Sequence, residues 1–253
     1  MVSRDNSSTS FGTAAEVYES ARPEYPSDSV AWLLEPAFAS GRTPRVADVG
    51  AGTGKLTRSI VAAGCDAIAV DPDTAMLDAL RIAVPGVPTL VGTAESLPVD
   101  DESLDGVLLG QAWHWVDPVA ASREIGRVLR PGGVLGLVWN IRDESQAWVR
   151  RLNSVVLRGG AMAMFDDGPP PIAEPFDHLE ERRWAWSRTV NRSLLTDLVR
   201  SRSFYITASV TERSRIDQDL AALFDELGLQ GSTTIGLPYV SRAFRCTRPH
   251  RDT

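Results

Sequence analysis

Histidine, lysine and cysteine are scarce in this 253-residue chain, and it has no long apolar run. Its two cysteines, Cys65 and Cys246, stand far apart in apolar surroundings. A disulfide scaffold or a zinc site would need more ligands at closer spacing, so buried free thiols are expected. His114, His178 and His250 are the only histidines, and no acids or thiols cluster with them, so no metal is expected. The polar stretch Met1 to Ser10 lacks the hydrophobic region of a signal peptide. Nowhere does an apolar run approach the ~18 residues of a membrane span. The expectation is a cytoplasmic protein with no membrane partner. Positive charge is also in deficit: 26 Lys and Arg against 33 Asp and Glu give a net charge of −7. That balance argues against nucleic acid as the main partner. Arg outnumbers Lys heavily, but the arginines are scattered among acids, as on a solvated surface.

What remains is an ordinary globular composition, 43% hydrophobic, at a length that suits one large α/β domain or a core with a modest insertion. Near the start, Phe11, Tyr18 and Tyr25 surround Arg22 in a stretch closed by Pro23 and Pro26. Its composition fits an arm packed on the domain as well as a lid whose Tyr and Arg face a ligand. Val30, Leu33, Leu34 and Phe38 have helical spacing, with Ser27 or Asp28 as the cap. Val46, Ala47 and Val49 then predict a buried strand that runs into Gly50, Gly52 and Gly54, followed by a helix through Leu56, Ile60 and Val61. Residues 66–71 predict a second strand. The next helix turns Met76, Leu77, Leu80 and Ile82 towards the sheet. Further strands are expected at 88–91, 104–110 and 134–139, with a helix over 119–129 and a tight turn at Arg130-Pro131-Gly132-Gly133. Strands alternating with helices five times imply right-handed crossovers and a parallel doubly wound sheet.

After Asn140 the regularity weakens. A helix is expected over 144–158, and an irregular insertion over 159–175 carries Met162, Met164 and Phe165. Trp184 and Trp186 fall in an alternating strand over 182–190, where packing of an outer strand is favoured over lining a substrate chamber. Helices over 194–199 and 217–227 and a closing strand over 239–247 complete the chain.

Three kinds of ligand commonly use a strand, a glycine turn and a helix. A phosphate-binding loop needs Gly-x-x-x-x-Gly-Lys-Ser/Thr, but Val49 stands at the first glycine and Leu56 after the lysine. A dinucleotide fingerprint counted from Gly50 puts Lys55 at its third glycine. The remaining pattern, Asp-x-Gly-x-Gly-x-Gly, suits a ligand without a phosphate and held mainly by backbone. Asp48 is placed to hold the turn or to meet an ammonium group. Asp71, at the end of the second strand, stands where an acid takes both hydroxyls of a ribose. Ala94 and Glu95 stand where an adenine edge would reach.

Asp48-Val49-Gly50-Ala51-Gly52-Thr53-Gly54 resembles the first motif of class I S-adenosylmethionine-dependent methyltransferases. Ala69-Val70-Asp71-Pro72 looks like the second, Gly92 to Pro98 like the adenine loop, and Arg127 to Gly133 like the segment entering strand five. Each is weak alone; four in order over residues 45–140 are a strong signal. Tyr18 to Pro26, Gln111-Ala112-Trp113-His114-Trp115, Val138 to Asp143 and Leu237 to Val240 resemble a small-molecule subgroup similar to trans-aconitate methyltransferase.

The resemblance implies a Rossmann-like, mostly parallel sheet with an antiparallel C-terminal strand, helices on both faces, an N-terminal lid and a cap insertion. It implies a single domain: lid and helix over 1–44, cofactor core over 45–141, helix and cap over 142–181, and completing strands and helices over 182–253. The implied cofactor is S-adenosyl-L-methionine. Gly50, Gly52 and Gly54 would face its amino-acid part and ribose, Asp71 the ribose hydroxyls, and Met76, Ala94 and Glu95 the adenine. Gln111 would approach the methionine moiety, unless its amide bonds backbone. Tyr18 and Arg22 would belong to the lid, with Arg22 pairing a carboxylate, and Trp113 to the substrate side. His114 is the best-placed base for a hydroxyl or amine acceptor; as a hydrogen-bonded wall residue it would have no catalytic role. The expected partner is a small-molecule methyl acceptor, with the chain a monomer or homodimer. An NAD-type oxidoreductase and a non-catalytic S-adenosylmethionine-binding protein are the competing readings.

Overall fold

The computed structural model describes residues 22–156, 168–201 and 203–250. Tyr18 and the Met162–Phe165 part of the expected insertion lie outside them. In chain order the elements are α1 (Ser27–Leu34), β1 (Arg45–Val49), α2 (Lys55–Ala62), β2 (Asp66–Asp71), α3 (Thr74–Ala83), β3 (Thr89–Val91) and β4 (Leu104–Gly110). They continue as α4 (Pro118–Val128), β5 (Leu129–Arg142), α5 (Ala147–Val156), β6 (Glu180–Asn191), α6 (Arg192–Arg200), α7 (Ser203–Ile206), α8 (Val210–Glu226) and β7 (Thr234–Thr247).

Among the described residues, seven strands form one sheet in the order β3-β2-β1-β4-β5-β7-β6. β1 pairs in parallel with β2 and β4, β2 with β3, and β4 with β5. These central strands are buried along nearly their whole length, so they read as continuous apolar runs rather than alternating ones. β7 runs the other way. The Gly132 amide donates to the Arg248 carbonyl and the Asp143 amide to the Pro238 carbonyl, so residue numbers fall along β7 as they rise along β5. This matches the expected architecture, a mostly parallel sheet closed by an antiparallel C-terminal strand.

Helix starts follow local chemistry. The Asp73 carboxylate accepts the Ala75 amide at 2.8 Å to begin α3. Asp117 accepts the Val119 and Ala120 amides ahead of α4, whose first residue is Pro118. Asn191 caps α6, and Ser209 with Glu212 forms a capping box on α8.

Several expectations are corrected. α1 has Pro26 at its N-cap with no side-chain cap, so neither Ser27 nor Asp28 caps it. Phe38 falls in a following 3-10 turn and is exposed, as is Val61 on α2. Ile82 is 85% exposed because it stands two residues after the buried Leu80, and so on the opposite side of α3. No helix joins β3 to β4; residues 92–103 cross as a loop. β5 starts at Leu129, not Val134. The Pro131-Gly132-Gly133 stretch is taken up as a register shift against β4 while Gly132 and Gly133 still bond Arg248. Helix α8 also starts earlier than expected, at Val210. Cys65 and Cys246 are free and buried, and burial pushes their thiols up to about 11 and about 12.

The chain divides into two compact units whose boundaries fall inside β5, β6 and β7. The larger comprises residues 24–140, 160–184 and 241–253, and its core joins Val30, Leu33, Val46, Ile60, Leu108 and Val138. Trp184 packs there on Trp32 at 5.7 Å. The other comprises residues 1–23, 141–159 and 185–240, with its own core of Val149, Leu152, Leu195, Leu198, Leu223 and Phe224. There Trp186 stacks on Tyr239 at 4.9 Å. Both tryptophans thus serve packing of the outer strand.

Candidate functional site

The turn after β1 is tied to β2, since the Gly50 and Ala51 amides both donate to the Val70 carbonyl. Gly50, Gly52 and Gly54 have φ of +70°, +55° and +92°, the left-handed region that an L side chain resists. A Cβ on Gly50 would lie 2.7 Å from the Ala112 Cβ, and one on Gly54 2.8 Å from the Leu80 Cγ. At Gly52 it would meet nothing within 4 Å. The turn is therefore packed from behind at its ends and open at its middle. α2 starts there with Gly54 as N-cap and no side-chain cap. Gly50→Ala should cost roughly 2–4 kcal/mol, left-handed strain plus overpacking. Gly64→Ala, at φ +86° with open space, should cost no more than about 2 kcal/mol. Urea denaturation of the two variants measures the difference.

Asp71 closes the turn. Its Oδ2 accepts the Gly52 amide at 2.8 Å and its Oδ1 the Asp73 amide at 2.9 Å. One carboxylate thus holds the glycine turn to the β2–α3 junction. An ionised carboxylate offers about four lone-pair sites, so both oxygens keep capacity for two further donors.

Asp48 lies beneath the turn, 1% exposed. The Thr57 hydroxyl donates to its Oδ2 at 2.6 Å, and its buried Oδ1 has no hydrogen-bond partner. Burial pushes this carboxyl up to about 7, against the opposing bond from Thr57. An acceptor left empty this deep fits a donor that arrives with a ligand. Thr57 was not foreseen; its signal was a hydroxyl on the inward side of α2, nine residues after Asp48.

Lys55, the only lysine in the chain, pairs with Glu24 at 3.1 Å, which agrees with a turn not built for phosphate. Gln111, at the end of β4, has φ +57°, a conformation uncommon outside glycine and worth explaining at a site. Its side-chain amide donates to the Asn140 carbonyl at 3.4 Å. Met76 is half-buried on α3 and Ala94 is buried. Glu95 accepts the Asp117 amide at 2.9 Å, which ties the loop after β3 to the start of α4.

Trp113 is buried, its indole N–H donating to the Pro171 carbonyl at 2.8 Å; Trp115, two residues on, is 82% exposed. His114 packs on the Trp115 ring at 4.7 Å, and its buried Nδ1 has no hydrogen-bond partner. Burial lowers its pKa from the ordinary 6.5, so the imidazole is neutral and can accept a proton at neutral pH. Arg22 belongs to the smaller unit, where it faces Arg142 electrostatically.

The methyltransferase domain family matches residues 47–137. An uncharacterized methyltransferase of Mycobacterium tuberculosis strain H37Rv is 45% identical over 251 residues, covering 97% of this chain and 98% of its own. An uncharacterized methyltransferase-like protein of Schizosaccharomyces pombe is 34% identical over 92% of this chain and 93% of its own. The crystal structure of the YcgJ protein of Bacillus subtilis shares the fold at 21% identity, with a TM-score of 0.51, covering 88% of this chain and 99% of that one. The chain belongs to the class I S-adenosylmethionine-dependent methyltransferases, and S-adenosylmethionine is its cofactor. The residues present fit that group: an open glycine turn, a strand-end carboxylate with spare acceptor sites, and a buried acceptor without a donor.

Proposed function

We propose that the chain transfers the methyl group of S-adenosylmethionine to a small organic acceptor, a carboxylate or a hydroxyl. The resemblance to a small-molecule subgroup similar to trans-aconitate methyltransferase supports the donor and a small acceptor. The observation that carries the reading is Asp71, which binds the Gly52 amide while keeping lone pairs for two hydroxyls. In this reading Gly50, Gly52 and Gly54 meet the amino-acid part and ribose, and Asp48 the ammonium group. Met76, Ala94 and Glu95 surround the adenine, and Gln111 approaches the methionine chain. The cofactor supplies an activated methyl on a sulfonium, open to in-line attack. The protein's own contribution is alignment and exclusion of water.

A carboxylate acceptor is already a nucleophile, whereas a hydroxyl gains from a base, for which the neutral His114 is available. His114→Gln should therefore lower kcat/KM about 100-fold or more for a hydroxyl acceptor and leave a carboxylate acceptor unchanged. For the hydroxyl acceptor the wild-type rate should be level above pH 6.5 and fall on the acid side, as the imidazole gains its proton. An acid limb that persists in His114→Gln would remove His114 from this role. The reading itself is tested by transfer of label from methyl-labelled S-adenosylmethionine across a panel of carboxylates, alcohols and amines. Binding without transfer favours the non-catalytic alternative, and binding of NAD in its place favours the oxidoreductase.

A further inference from the structure

The smaller unit contains a buried positive charge with no direct partner among the described residues. Arg142, the last residue of β5, is 8% exposed. Among the described residues its guanidinium makes no hydrogen bond and no ion pair, and its Nη1 is wholly buried without a partner. Three groups face it electrostatically: Tyr239, Glu144 and a second arginine, Arg22. Glu144 does not ion-pair with it, because its Oε1 accepts the Asn153 amide at 2.6 Å. The Arg stays charged at every accessible pH. A buried guanidinium with an arginine as neighbour and no carboxylate in contact is costly, and proteins keep such an arrangement where an anion completes it.

We propose that this unit binds a small organic carboxylate, with the Arg142 guanidinium as its bidentate partner and Arg22 as the second positive charge. The planar fork of a guanidinium matches a carboxylate in geometry. The site lies in the smaller unit, and its benzoate test does not depend on the methyltransferase reading.

Benzoate is the probe, benzamide its uncharged match and inorganic phosphate its dianionic rival, each titrated at constant ionic strength by calorimetry and thermal unfolding. Benzoate should bind saturably and raise Tm, and benzamide should not. Arg142→Met should weaken benzoate at least tenfold, Arg142→Lys less. Arg142→Met should also raise the Tm of the ligand-free protein, because it removes an unpaired buried charge. Phosphate bound more tightly than benzoate would overturn the class of ligand. A lower Tm in both variants, with benzoate binding unchanged where either folds, would overturn the site. A second arm compares S-adenosylhomocysteine with methylthioadenosine, which lacks the carboxylate. If Arg142→Met weakens only the former, the carboxylate bound is the cofactor's; if neither, it is a separate ligand's. No dependence on a carboxylate in either arm refutes the proposal.

Discussion

Asp71→Ala is expected to weaken S-adenosylmethionine binding about 100-fold or more, the loss of two hydrogen bonds to a charged acceptor at roughly 1.5–3 kcal/mol each. The effect has two parts. The ribose would lose its carboxylate, and the Gly52 and Asp73 amides would lose the acceptor that fixes the turn. Asp71→Asn separates them: its one carbonyl oxygen can keep one amide, while its NH2 faces the other as donor against donor. Asn should therefore recover part of the fold's stability and little of the affinity. Calorimetry with S-adenosylhomocysteine beside thermal unfolding reads both. An Asn variant that binds as tightly as wild type would mean that Asp71 only holds the turn.

The part of the site most legible in the sequence is the part made of backbone. A left-handed residue next to a packed neighbour admits little but glycine, so Gly50 and Gly54 write their conformation directly into the chain. Asp71 was legible for a related reason, since a strand that ends in an acid before Pro72 puts its carboxylate at the sheet's ligand-binding end. The central parallel strands were legible as short apolar runs. Where two signals competed, the local one misled. Pro131-Gly132-Gly133 has turn chemistry, yet its amides and carbonyls stay paired with Arg248, more than 100 residues on, and the strand persists as a bulge.

What sequence could not reveal was pairing at long range. Arg142 lies in a stretch that already resembled the family, but its isolation depends on which groups approach it. These are Tyr239 from β7 and Arg22 from the opposite end of the chain, with Glu144 committed to Asn153. Ile82 is apolar, but it lies about 200° round α3 from the buried Leu80, so it points to solvent. Thr57 looks like a polar residue of an amphipathic helix until its hydroxyl is found on a buried carboxylate.

That carboxylate gives the second large prediction. Asp48 has a pKa of about 7 in the folded protein against an ordinary 3.8. Between these values the unfolded chain has released its proton and the folded one retains it. Stability therefore falls as pH rises from about 4 to 7, by on the order of 4 kcal/mol at full extent. Asp48→Asn carries no charge to bury and keeps an acceptor for Thr57, so its stability should lack this decline. By pH 8 it should be more stable than wild type by about 1–3 kcal/mol, after the cost of an unpartnered amide N–H. Cofactor binding should move the other way. An ammonium group on Asp48 favours the ionised form, so wild-type affinity for S-adenosylhomocysteine should rise up to tenfold per unit between pH 5 and 7, with a proton released on binding. Asp48→Asn should bind about 100-fold more weakly at pH 8 and show neither the slope nor the proton. Calorimetry in buffers of different ionisation enthalpy measures that proton. The same slope in both proteins would mean that Asp48 braces the turn through Thr57 and never meets the ligand.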